Sequence, residues 1–218
     1  MKTRKFAVAI ATFASAALLA ACGNVSTTNT SAAGSTVGET FKIGYNLELS
    51  GAVSSYGQTE ENGANLAVKE INAAGGIDGK KIEVITKDNK SETAEAATVA
   101  TSLASEGANV VIGPATSGAS AASIPALTSA GVPMISPSGT QTNLVENDKG
   151  EVQEYFFRTT FTDGYQGEIM AKYATENFSA KKVVLYFDNS SDYGKGVAEA
   201  FKKAYTGEIV SEITFASG

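Results

Sequence analysis

Two short loops in this 218-residue chain carry the side chains best suited to holding a small charged molecule. Residues 113–118 read GPATSG, and residues 136–142 read SPSGTQT. Both are built from hydroxyls, glycine and proline, and neither contains a charge. Glycine lets backbone amides approach a ligand, and the first turn of a helix favours anions. A pair of such loops can hold a carboxylate with hydroxyl and amide donors and no lysine or arginine. Ser, Thr, Gly and Pro also dominate ordinary turns. Neither loop alone separates a site from turn chemistry, but two of them after adjacent strands favour binding.

Other chemistries are excluded by composition. The chain has no His, which removes Ser-His-Asp catalysis, His-based zinc sites and His general bases. It has one Cys, at position 22, so an internal disulfide, a Cys-x-x-Cys pair and a thiolate cage are all impossible. Asp188, Ser190, Asp192 and Glu199 have the outline of a calcium loop, but the sixth position requires Gly and is Tyr193. Gly194-Lys195-Gly196 lacks the spacing of a phosphate loop, and no Gly-x-Ser-x-Gly elbow occurs. Asp163, Asp188 and Asp192 are loop carboxylates of a kind usually just solvated. With 17 basic and 23 acidic residues, net −6, the chain is a poor partner for nucleic acid. What remains is carboxylate-dependent chemistry or binding without chemistry.

The loops need elements to position them. Residues 41–47 predict a strand. Residues 58–74 predict a helix, with Ala64, Ala67, Val68 and Ile71 on one stripe, stopped by Gly75-Gly76. A strand over 81–86 and a helix over 92–106 follow, the helix carrying Ala96, Val99, Ala100 and Leu103 on one face. Strands over 109–112 and 132–136 flank a small-residue helix over 117–130. Beyond them come a strand over 155–159 and a helix over 164–178, with Ile169, Met170, Tyr173 and Ala174 clustered. A strand over 182–187, a helix over 193–205 (Val197, Ala200, Phe201, Ala204) and a strand over 209–215 complete the series. This alternation argues for an α/β fold with parallel sheets flanked by helices. Ligands in such folds bind beyond the carboxyl ends of the strands, where both loops fall.

The chain starts with Lys2, Arg4 and Lys5, followed by an apolar run to Ala20. That is the form of a secretory signal, and it is too short for a comfortable membrane span. It ends in Leu19-Ala20-Ala21-Cys22-Gly23, which resembles the bacterial lipoprotein lipobox. The resemblance implies removal of residues 1–21 and a lipid on Cys22, on the outer face of a Gram-positive cell membrane. Removal deletes three of the 17 basic residues and none of the 23 acidic ones. Residues 22–39, rich in Ser, Thr, Asn, Gly and Ala, predict a flexible tether.

From residue 41 onward the motifs GYNLELSGAVSSYGQTEENGANLAVKEINAAGG, VVIGPATSG, VPMISPSGTQTNLV, FFRTTFTDGYQG and VVLYFDNSSDYGKG occur in order. Together they resemble the branched-chain amino acid binding proteins of ABC transporters, the leucine/isoleucine/valine type. The resemblance implies a type I periplasmic-binding-protein fold: two Rossmann-like lobes, each a parallel sheet flanked by helices. Lobe one would span 40–158 and lobe two would open at 159–218, incomplete, because the family's chains run on further. It implies that Ser117, and Ser138 with Thr140 across Gly139, grip the ligand's α-carboxylate and α-amine. It places Tyr56 at the cleft mouth, Tyr193 on the second lobe and Asp163 near the hinge crossing. The family's small disulfide loop is absent at Lys87-Asp88-Asn89-Lys90-Ser91. The implied protein is a monomer without catalysis, metal or cofactor. Its partners are an amino acid, ABC permease subunits and, through Cys22, a membrane, with no nucleic acid. A cleft lacking part of one wall is expected to bind weakly or not at all. The alternatives are an amino acid or amide sensor of the same fold, a nucleotide enzyme (whose Gly-x-Gly-x-x-Gly is missing after Ile43) and a surface lipoprotein without ligand.

Overall fold

The computed structural model describes residues 37–147 and 149–216. The signal segment 1–21, Cys22 and the tether up to residue 36 lie outside them. No helix among the described residues is long and apolar enough to cross a membrane.

Seven strands and five α-helices alternate along the described chain. Strands β1 (Phe41–Leu47), β2 (Ile82–Asp88), β3 (Val110–Ile112), β4 (Met134–Ser136) and β5 (Phe156–Arg158) form one parallel sheet. Their order is β2-β1-β3-β4-β5. The helices between them are α1 (Ser54–Ala73), α2 (Thr93–Ser105) and α3 (Ser117–Ala130), with a 3-10 turn at Thr142–Leu144. A second, two-stranded parallel sheet joins β6 (Lys182–Asp188) to β7 (Glu208–Phe215). It is served by α4 (Asp163–Phe178) and α5 (Asp192–Ala204).

Alternation along β1 sorts the first core into two faces. Ile43, Tyr45 and Leu47 pack with Ile82 and, from α1, Ala64 and Val68. Gly44 faces Leu103 of α2, and Asn46 donates to the Ala96 carbonyl and the Ser123 hydroxyl. The α2 stripe Ala96, Val99, Ala100 and Leu103 is buried as its spacing predicts. Val99, Ala100 and Leu103 join Val111, Leu127, Met134 and Phe156 in the larger cluster.

Two sequence expectations are corrected. Helix α1 begins at Ser54 rather than 58, so Tyr56 lies in its first turn. Gly57 had read as loop, yet a Cβ there would collide with the Glu48 carbonyl oxygen. Glycine at this position permits close approach of the helix to the end of β1 rather than breaking the helix. In α4, Ile169, Met170 and Tyr173 are exposed, while the buried residues are Asp163, Gly167 and Ala171. Small residues win this face because α5 lies directly on it.

A Cβ at Gly167 would stand 2.5 Å from Ala200 Cβ and 2.6 Å from the Phe201 nitrogen and the Val197 oxygen. Gly167→Ala is therefore expected to destabilise the α4–α5 pair by about 1–3 kcal/mol through overpacking. Urea unfolding checks this, and an unchanged midpoint would contradict the packing described.

Candidate functional site

The strand order reverses direction between β1 and β3, since β2 lies on one side of β1 and β3, β4 and β5 continue on the other. Crevices form at such switch points, beyond the carboxyl ends of the two strands. Glu48 follows β1 there, and residues 113–116 lead from β3 into α3.

Glu48 is completely buried. Its carboxylate accepts from the amides of Ala115 at 2.9 Å and Thr116 at 3.1 Å, and from the Thr116 hydroxyl at 2.9 Å. Two amides of residues 113–118 are thus already taken by an internal carboxylate just after β1. The amides of Ser117, Gly118 and Ala119 form the helix's first turn, and no side chain caps them.

The two loops are tied together. Buried Ser117 places its Oγ 3.2 Å from the amides of both Thr140 and Gln141 and accepts from each. Ser117 and Thr140 therefore sit side by side rather than on opposite rims. Those two bonds occupy the oxygen's lone pairs, so what Ser117 has left to offer is its proton. Arg158, at the end of β5, fastens the second loop from behind by donating to the Gln141 carbonyl at 2.8 Å and the Thr142 carbonyl at 3.4 Å. Ser136 donates to the Pro114 carbonyl at 2.6 Å and accepts the Gly139 amide at 2.9 Å.

A cleft of about 640 Å³ opens over these loops. Such a volume suits a small ligand. Five of the six residues expected at a ligand line it: Tyr56, Ser117, Ser138, Thr140 and Tyr193. Gly139 does not. It is buried and its amide is spent on Ser136, so it shapes the turn. Val53, Ala115 and Phe161 add apolar lining, and Tyr56 and Tyr193 remain 59% and 45% exposed at the mouth.

The far wall comes from the second sheet. Ser191 caps α5 by accepting the Gly194 amide at 3.0 Å, and Tyr193 exchanges hydrogen bonds with Gln166 of α4 at 2.8 and 3.2 Å. Asp192 pairs with Lys195 at 2.9 Å and brings its other oxygen within 3.5 Å of where Gly118 would carry a Cβ. Asp188 accepts from the Ser190 amide at 2.8 Å and hydroxyl at 2.6 Å. Asp163 is buried in the first turn of α4, and its amide donates to the Thr140 carbonyl at 2.9 Å. The Asp163 carboxylate lies beside Thr140, and a Cβ at Gly196 would stand 2.5 Å from one of its oxygens. Burial raises its carboxyl, against the pull of Thr140 and the Arg158 charge. This places Asp163 where the loop at Thr140 meets α5.

Glu48, Glu60 and Arg158 escaped the sequence reading because they stand behind the loops, not in them. Where the disulfide loop is absent, Asp88 accepts the Leu49 amide at 3.0 Å, the Ser50 amide at 3.1 Å and the Lys90 amide at 2.8 Å.

The whole described α/β unit is matched, over residues 40–218, by the family model of the periplasmic binding proteins. The chain belongs to that family. The Leu/Ile/Val-binding protein BraC3 of Rhizobium johnstonii is 35% identical over 171 residues, 78% of this chain and 45% of the relative. The Leu/Ile/Val-binding protein of Escherichia coli K12 is 32% identical over 184 residues, covering 84% and 47%. Among solved structures, the branched-chain amino acid transporter substrate binding protein LivJ of Streptococcus pneumoniae, in complex with isoleucine, matches with a TM-score of 0.77. It is 57% identical, over 82% of this chain and 50% of that one. The fold is thus the type I periplasmic-binding-protein fold, and this chain spans about half the length of the relatives it matches.

Proposed function

We propose that this protein is the extracytoplasmic solute-binding component of an ABC importer, taking a branched-chain or related amino acid into the cleft without catalysis. Lobe one is residues 40–158 and lobe two begins at 159. Residues 1–21 direct export, Cys22 carries a lipid that holds the protein to the outer face of the cell membrane, and the tether to residue 39 gives it reach. The loaded monomer delivers its ligand to the permease subunits.

The observation that carries this reading is the tie between the two loops at Ser117. With both lone pairs committed to Thr140 and Gln141, its hydroxyl is a donor, and the uncapped amides of α3 lie beside it. A ligand α-carboxylate fits that set of donors. The apolar side chain then lies against Val53, Tyr56, Phe161 and Tyr193. Identity of 57% to a protein crystallised with isoleucine supports the ligand class. Closing of the α5 wall over the ligand, about the crossing near Asp163, is the capture step.

Calorimetric titration of the full-length protein with leucine, isoleucine and valine tests this, followed by other amino acids and amides. Saturable heat and a raised melting temperature with at least one branched-chain amino acid are expected. Absence of both with every compound rules the ligand class out.

A further inference from the structure

Behind Ser138, away from the cleft, stands Glu60 of α1. The Ser138 hydroxyl oxygen lies 2.5 Å from Glu60 Oε1 and 2.9 Å from the Ala115 carbonyl oxygen, and both are acceptors. A hydroxyl has one hydrogen to give. Here that hydrogen points backward, so Ser138 presents lone pairs to the cleft it lines. Ser117, whose lone pairs are taken, presents a proton. The two serines are polarised in opposite senses, which suits the two ends of a zwitterion.

Glu60 is unusually placed for a carboxylate. Its second oxygen, Oε2, is buried with no hydrogen-bond partner. The charged group that faces it is Glu48, from the end of β1, and none of the ion pairs among the described residues includes Glu60. Glu61, next to it on α1, bears on the Tyr45 hydroxyl instead. Glu48 has three donors, whereas Glu60 has one, the Ser138 hydroxyl. Burial raises the Glu60 carboxyl to about 7, with the Ser138 hydrogen bond opposing the rise and the Glu48 charge adding to it.

We propose that Glu60 is a positioning residue for the ligand's ammonium group. Its carboxylate makes Ser138 an acceptor toward the cleft, and arrival of the cation drives the Glu60 proton into solvent. This rests on the amino acid reading above and deepens it. A cation beside Ser138 favours the charged carboxylate, whereas a ligand carboxylate placed there would favour the protonated form. The sign of proton exchange therefore reports which end of the ligand meets Ser138.

The test is calorimetry with leucine between pH 6 and 8, in two buffers of different ionisation enthalpy. Proton release near pH 7 is expected, with binding about tenfold weaker at pH 6 than at pH 8. Glu60→Gln should bind without proton exchange, with an affinity flat across that range and near the wild-type value at pH 6. Proton uptake, a flat wild-type profile, or release that survives in Glu60→Gln overturns the proposal. If no amino acid binds either protein, the amino acid reading fails, and a separate measurement decides Glu60. The carbon-13 titration of its carboxyl in the ligand-free protein, assigned by its loss in Glu60→Gln, supports the exchangeable proton placed on Glu60 if the midpoint lies near neutrality. A midpoint among the ordinary glutamates overturns it.

Discussion

Replacing Glu48 by alanine is expected to lower stability by about 3–5 kcal/mol, the sum over the donors it strands at about 1–3 kcal/mol for each buried one. It should also abolish amino acid binding. The reason lies in what the carboxylate leaves behind. The amides of Ala115 and Thr116 and the Thr116 hydroxyl all donate to this fully buried carboxylate, the Ala115 amide from a buried position and the Thr116 groups from the edge of the cleft. Each buried donor stripped of its acceptor costs about 1–3 kcal/mol. Glu48→Gln should fall between alanine and wild type, because an amide keeps one acceptor but turns a donor toward a donor. The same substitution removes the negative charge that faces Glu60, so the Glu60 carboxyl should titrate lower than in the wild type. Urea unfolding, calorimetry and carbon-13 titration read the three effects. A Glu48→Ala variant within ~1 kcal/mol of wild type would show that the cradle does not depend on this residue.

The scaffold of this site was legible wherever periodicity was strong. The α2 stripe, buried throughout, was read from spacing alone because a helix between two layers must turn one continuous apolar face inward. The parallel order followed from alternation of strands and helices, and the position of the two loops followed from that order. Where reading failed, a short-range contact overrode a local pattern. Gly57 fell just outside the predicted helix and is the point at which α1 touches the end of β1. Ile169, Met170 and Tyr173 looked like a core face, yet α5 lies too near for anything larger than Gly167 and Ala171. The site was half legible. Serines and threonines in loops announce donors and acceptors, but not which way each hydroxyl turns. Glu48 sets it for Thr116 and Glu60 for Ser138, while Arg158 holds the loop by its carbonyls, and all three are charged residues whose sequence neighbourhoods resemble ordinary surface.

The direction of a hydroxyl makes the other large prediction. Ser117→Ala removes one oxygen and leaves the Thr140 and Gln141 amides without the acceptor that ties their loop to α3. A stability loss of about 1–3 kcal/mol is expected from the stranded amides. The larger effect should be on the ligand. The variant loses the donor that faces the carboxylate, and a hydrogen bond to a charged group contributes about 1.5–3 kcal/mol, or roughly 10- to 150-fold in affinity. Ser123 provides the control. It is buried in the same helix, but its hydroxyl donates to the Ala119 carbonyl at 2.9 Å, one turn back, and it lies outside the cleft. Ser123→Ala should lower stability by a comparable amount while leaving affinity within about threefold of wild type. If the two variants weaken binding equally, affinity is following global stability and the role assigned to the Ser117 proton is wrong. If only Ser117→Ala does so, the lone pairs pinned by Thr140 and Gln141 are what turn an ordinary serine into a carboxylate donor.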